Sequence, residues 1–203
     1  MMAKPSTLDS LRRSPVQGLA AELAATGSDA TVRLADRPFL TQLDLPVAPD
    51  STAAGRIGAA LGLRLPTEAG AVSSVGDRHA VWCGPDWWLL VDVPGAAGSL
   101  EATIRAAFGE DAGSVTDVSS QRTALELSGP RARDVLRHGT SIDLHPKAFP
   151  AGTATQVTMA KAHVLLHHLT TDPPTYRLLV RTSFAEYLAA WLLDAMVEYV
   201  ASP

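Results

Sequence analysis

The chain has 203 residues, 46% of them apolar, and a formal charge of −4. That is enough for the core of one large domain or of two small fused halves, and the interspersed charges of both signs speak against nucleic-acid binding. A single cysteine, Cys83, cannot close an internal disulfide and fits a reducing cytoplasm. Residues 1–16 hold no apolar run of the secretory kind, and no stretch approaches a membrane span.

In chain order, residues 1–30 read as an arm. Arg12-Arg13-Ser14-Pro15 precede a short Ala/Leu-rich helix over 19–25, closed by Gly27-Ser28-Asp29. Short strands follow near 31–34 and 39–45. Asp50-Ser51-Thr52 then opens a helix over 53–63, with Ile57, Ala60 and Leu61 on one face. Three strands are expected at 71–75, 79–84 and 87–93, the last two joined at Gly84-Pro85-Asp86. Ser99 is placed as the cap of a helix over 100–108.

The next stretch sets the organisation of the chain. Strands at 114–118 and 122–127 lead into a helix over 131–137. Thr123, Leu125 and Leu127 alternate with Ala124 and Glu126, and the period then becomes helical at Ala132, Val135 and Leu136. Ser128-Gly129-Pro130 punctuates the change, with Ser128 read as a cap and Pro130 in the first turn. No glycine run able to cradle a phosphate lies at this joint. Strands at 153–160, 163–169 and 176–181 follow. A final helix over 184–199, capped by Ser183, buries Phe184, Leu188, Trp191, Leu192, Ala195 and Met196.

The succession is thus β-β-α-β-β-β-α, twice. Leu43-Asp44-Leu45-Pro46 echoes Leu125-Glu126-Leu127-Ser128, and Trp87-Trp88-Leu89-Leu90-Val91 echoes Tyr176-Arg177-Leu178-Leu179-Val180. The expected class is α+β: an N-terminal arm (1–30), then a duplicated domain (31–203) with halves of about 31–112 and 113–203.

Motifs for common chemistries are missing: there is no G-x-S-x-G, no Walker A loop and no G-x-G-x-x-G. Cys83, at a strand end beside Trp82, reads as a buried, inert thiol. His163, His167 and His168 suggest a metal site at first. In a strand, however, His163 and His167 would stand about 13 Å apart, and His168 would face the other way. Trp87 and Trp88 also face opposite ways, so one belongs to the core and the other could meet a partner. Arg122, Arg131, Arg133 and Arg137 form a basic group near the joint, readable either as a solvated helix face or as a contact.

Several motifs resemble a known family. They are Asp117-Val118-Ser119, Gln121-Arg122-Thr123, Leu125-Glu126-Leu127-Ser128-Gly129-Pro130-Arg131-Ala132, Asp143-Leu144-His145-Pro146, Phe149-Pro150 and Arg177 through Ala185. Together they are similar to the gamma subunit of heterotetrameric sarcosine oxidase. The wider superfamily is that of the folate-binding domain of aminomethyltransferases, and the resemblance implies that duplicated, folate-binding-domain-like fold. It further implies a cytoplasmic complex with alpha, beta and delta subunits that demethylates sarcosine oxidatively to glycine. The products would be hydrogen peroxide and 5,10-methylenetetrahydrofolate, with FAD, FMN, NAD and tetrahydrofolate held by the partner subunits and no cofactor, metal or catalytic residue in this chain.

Aminomethyltransferases carry an acidic pair in the strand that here reads Ala162-His163-Val164-Leu165-Leu166-His167-His168. Without a carboxylate, that strand offers no carboxylate base for the one-carbon chemistry. The expected role is therefore assembly of the complex. Arg12, Arg13, Gln121, Arg122 and Arg131 are the expected partner contacts. The alternative readings are a stand-alone folate-binding one-carbon protein and a separate binding module of the same fold.

Overall fold

A computed structural model describes residues 11–200. Residues 1–10 of the expected arm lie outside the described residues. In order come α1 (Ala20–Ala25), β1 (Arg33–Arg37), β2 (Thr41–Pro46), α2 (Thr52–Leu61), β3 (Val72–Val75), β4 (Arg78–Gly84), β5 (Trp87–Asp92) and α3 (Ala97–Phe108). Then follow β6 (Thr116–Asp117), β7 (Arg122–Ser128), α4 (Ala132–Arg137), β8 (Thr153–Met159), β9 (Ala162–Thr171), β10 (Pro174–Arg181) and α5 (Ala185–Val200).

Among the described residues the strands make two five-stranded sheets, ordered β1-β7-β10-β9-β8 and β3-β4-β5-β2-β6. Every pairing is antiparallel. β1 pairs with β7 and the short β6 with β2, so each sheet borrows one edge strand from the other stretch of sequence.

Strand alternation sorts side chains into three apolar layers. On one outer face, Leu125, Leu127, Leu166 and Leu178 pack beneath Val135 of α4 and Leu188 and Leu192 of α5. On the other, Leu43, Leu45, Trp88 and Leu90 pack beneath Ile57 of α2 and Ile104 of α3. Between the sheets, Val81, Leu89 and Val91 meet Ala124, Leu165 and Leu179. The architecture is helix, sheet, sheet, helix. The near end of the arm belongs to this packing, because Val16 and Leu23 are buried in the first layer.

The helix over 53–63 starts as read: Ser51 Oγ accepts the Ala54 N–H at 3.1 Å, and Gly62 ends it at φ 73°. Three other expected caps are corrected. Ser99 lies inside α3 and its hydroxyl donates to the Ala96 carbonyl at 3.0 Å, while Thr41 Oγ1 accepts the Ala96 N–H at 3.0 Å. Ser183 sits within a 3-10 turn, Thr182–Phe184, that precedes α5 and has no side-chain cap. Ser128 is the last residue of β7, and α4 starts without a side-chain cap. There the Arg131 N–H donates to the Thr31 carbonyl at 3.0 Å, so backbone does what a serine would have done. Phe184, expected inside, is 44% exposed because the 3-10 turn rotates it off the buried stripe of α5.

The β7–α4 joint depends on Gly129, whose φ is 109°. A Cβ there would stand 2.6 Å from the Thr31 carbonyl oxygen. Gly129→Ala is expected to lower stability by about 2–3 kcal/mol, read as a lower urea midpoint at unchanged slope. Among the described residues, no helix is long and apolar enough to cross a membrane.

Candidate functional site

The polar side chains that face the gap between the sheets fall into two groups, separated by the apolar patch of Leu89, Leu165 and Leu179. At one end, Glu126 on β7 is nearly buried. Its Oε1 accepts from Arg177 Nη2 at 2.8 Å and Nε at 3.0 Å, and its Oε2 accepts from Arg37 Nε at 2.7 Å. Burial pushes the Glu126 carboxyl up, but the hydrogen bonds and charges of the two arginines outweigh it and hold it below the usual range. With both oxygens engaged by cations, Glu126 has no proton to move, and its work is structural.

Beside it, His79 of β4 and His167 of β9 meet edge to face across the gap, ring centroids 5.0 Å apart. Burial, with His79, Arg177 and His168 nearby, drives His167 down to about 3. His79 is lowered too, by burial and by Arg177. His168 points to the helix side as alternation requires, stacked on Tyr176 at 4.4 Å with Nδ1 2.8 Å from the Phe149 carbonyl. Among the described residues no three His, Cys, Asp or Glu side chains converge as metal ligands would.

At the other end lies a cavity of about 330 Å³, lined by Cys83, Trp87, Arg122, Gln156, His163 and Arg181 among others. Arg122 and Arg181 are direct partners across β7 and β10. Arg122 Nη1 is buried with no hydrogen-bond partner. Its backbone is anchored from the other sheet, because Gln42 Nε2 donates to the Arg122 carbonyl at 2.9 Å. The tryptophan pair divides as alternation demands. Trp88 is fully buried and donates to the Pro66 carbonyl at 2.7 Å, whereas Trp87 lines the cavity and donates to Asp44 at 3.3 Å.

Burial pushes the Cys83 thiol up to about 11, so the nucleophilic thiolate is scarce at neutral pH. Iodoacetamide at pH 7.5 is expected to alkylate Cys83 at least about tenfold more slowly in the native protein than in urea, followed by mass spectrometry. Cys83 is half-buried rather than fully buried as expected, because it borders the cavity, and equal rates would disprove the inert-thiol reading.

Arg122 also lines a second cavity of about 220 Å³, with Arg12, Arg13, Phe39, Ser119 and Thr182 around it. The Arg12 guanidinium lies 4.3 Å above the Phe39 ring, and Phe39 itself holds φ 66°. Gln121 adjoins this wall, its carbonyl accepting the Thr182 N–H at 3.1 Å. The structure thus gathers Arg12, Arg13, Gln121 and Arg122. Arg131 is elsewhere, past the far end of β7, where it pairs with Asp134 at 3.2 Å and lines a separate hollow with Thr31 and Tyr199. Arg181 joins the group although sequence reading passed over it. Its signal was the strand pairing, which sets it opposite Arg122.

The family model for sarcosine oxidase gamma subunits matches residues 46–198. The sarcosine oxidase subunit gamma of Corynebacterium sp. (strain P-1) is 39% identical over 96% of this chain and 94% of its own length. That of an Arthrobacter species is 40% identical over the same shares, 96% and 94%. A chain of the heterotetrameric sarcosine oxidase from Corynebacterium sp. U-96 superposes with a TM-score of 0.85 at 38% identity, covering 95% of this chain and 98% of that one. The glycine cleavage aminomethyltransferase T of Bartonella henselae shares the fold, with a TM-score of 0.61 at 17% identity over 86% of this chain and 48% of that one. The chain belongs to the sarcosine oxidase gamma subunit family.

Proposed function

We propose that this chain is the non-catalytic gamma subunit of a heterotetrameric sarcosine oxidase, and that it supports assembly with alpha, beta and delta subunits. The end-to-end likeness to the Corynebacterium and Arthrobacter gamma subunits carries this reading. The complex would act in the cytoplasm. It would demethylate sarcosine oxidatively to glycine, producing hydrogen peroxide and 5,10-methylenetetrahydrofolate, with FAD, FMN, NAD and tetrahydrofolate on the partners. The face of β9 turned to the gap supports a non-catalytic role, for it presents His163, Leu165 and His167 and no carboxylate. Glu126, the buried carboxylate nearest in kind, is locked by two arginines.

The same reading takes the chain as a duplication with halves of about 31–112 and 113–203. The matching successions β3-β4-β5-β2 and β8-β9-β10-β7 support it. The docking face is assigned to Arg12, Arg13, Gln121 and Arg122, which the fold gathers, with Arg131 as a separate contact. To test this, the tagged chain is purified from its own cells and analysed by native mass spectrometry and flavin absorbance. A yellow assembly several times heavier than 21.3 kDa that oxidises sarcosine is the expected result. A colourless 21.3 kDa species alone would refute the subunit role.

A further inference from the structure

We propose that the rung formed by Arg122 and Arg181 receives a carboxylate from an acidic segment of a partner subunit, an inference that rests on the subunit reading above. The two residues are direct partners on neighbouring antiparallel strands, and both line the 330 Å³ cavity. Like charges so placed repel. Further along the same face, the same two strands set Arg177 opposite Glu126, and there the charge is answered within the chain. At the Arg122 rung nothing answers it. No Asp or Glu lines the cavity, and among the described residues neither arginine forms an ion pair. Asp44 accepts from Trp87 instead. The orphaned Nη1 of Arg122 is a buried donor on a residue whose backbone carbonyl is anchored by Gln42, and a planar guanidinium fits a carboxylate with two parallel hydrogen bonds.

The surroundings point to a protein carboxylate rather than a free anion. Arg12 and Arg13 stand around the adjoining cavity with Arg122, so four guanidiniums serve this end of the molecule. Leu11, beside Arg12 in the chain, and Phe184, three positions after Arg181, are exposed apolar side chains, at 67% and 44%. Arginines beside exposed aromatic and aliphatic groups make the composition of an interface centre. A small anion would satisfy the arginines and leave Leu11 and Phe184 in water, whereas an acidic segment covers both.

The test uses the co-expressed complex. Arg122→Glu and Arg181→Glu are each expected to weaken retention of this chain by at least about tenfold, read by native mass spectrometry on dilution. Arg137→Glu, on the helix layer, is expected to leave retention at the wild-type level. Circular dichroism checks folding. Should Arg122→Glu fail to fold, the exposed Arg181→Glu decides the matter alone. As a second readout, Arg181→Lys is treated with carbodiimide. The expected product is an amide joining position 181 to an Asp or Glu of a partner subunit. Wild-type retention in the charge-reversed variants, or an intact complex without that amide, overturns the proposal and leaves the subunit reading standing. A wild-type chain that recruits no partner subunit overturns both.

Discussion

Glu126→Ala is expected to destabilise the protein by about 3–5 kcal/mol, because it breaks a buried ion pair from one side only. The carboxylate is only 11% exposed and Arg177 14%, so removing the anion strands a guanidinium between the sheets. Arg37, 56% exposed, turns to water and loses little. The cost therefore arises from Arg177 left unanswered rather than from the attraction lost. This gives the test its internal control. The double variant Glu126→Leu with Arg177→Met removes both charges and should recover most of the loss, since well-packed apolar replacements of buried ion pairs are often neutral. Urea denaturation of the wild type, the single and the double variant measures all three. A single variant within about 1 kcal/mol of the wild type would show that the group is not held as described.

Mild acid should weaken this fold through its buried histidines. The folded pKa of His167, about 3, lies below the ordinary value of 6.5 that the unfolded chain restores. Below pH 6.5 the unfolded state therefore binds the extra proton, and the stabilisation present above that pH is lost as pH falls towards 3. The slope for one such group is about 1.4 kcal/mol per pH unit. His79, also lowered, adds in the same sense. The charged groups around the pair are Arg177 from β10, Glu126 from β7, Asp77 just before β4 and Asp92 at the end of β5. Glu126, held below its usual range, gives stability above the unfolded carboxyl pKa and loses it only in stronger acid. Asp36, pushed up by burial, works in the opposite sense. In the window from pH 6.5 to 5 the two histidines lower stability as pH falls. Urea midpoints across it should fall steadily for the wild type and more shallowly for His167→Leu. Equal slopes would show that the His167 ring takes up no proton on unfolding.

The order of strands and helices was readable because alternation and helical periods are local. The opposite facing of Trp87 and Trp88, and of His167 and His168, followed from the same rule. What escaped were features decided by distant chain. Ser99, Ser183 and Ser128 resemble helix caps locally, but their orphan N–H groups are met by Thr41 and by backbone carbonyls from elsewhere. Arg131 lies only nine positions from Arg122, yet the remaining six residues of β7 intervene, and an extended run of that length carries the chain about 20 Å. Arg181 is 59 positions from Arg122 and directly opposite it. The arginine group was therefore half legible. Composition marked Arg12, Arg13 and Arg122, and only pairing adds Arg181 and sets Arg131 apart.

The exchange of edge strands between the sheets governs how the molecule can come into being. When the ribosome has made β1 through α3, the strand that will cover β1 does not yet exist, because the β1 residue Arg37 waits 89 residues for Glu126. β2 likewise waits for β6. The nascent first half thus carries β1 with no sheet to join and β2 with a bare edge, features prone to stray pairing. Both sheets close late and together, since each lacks a strand until the second half emerges. Long-range closure of this kind slows folding. For a chain destined for a larger assembly, the interval in which its strands lie open is thus written into the topology, and it ends only when β7 takes its place beside β1.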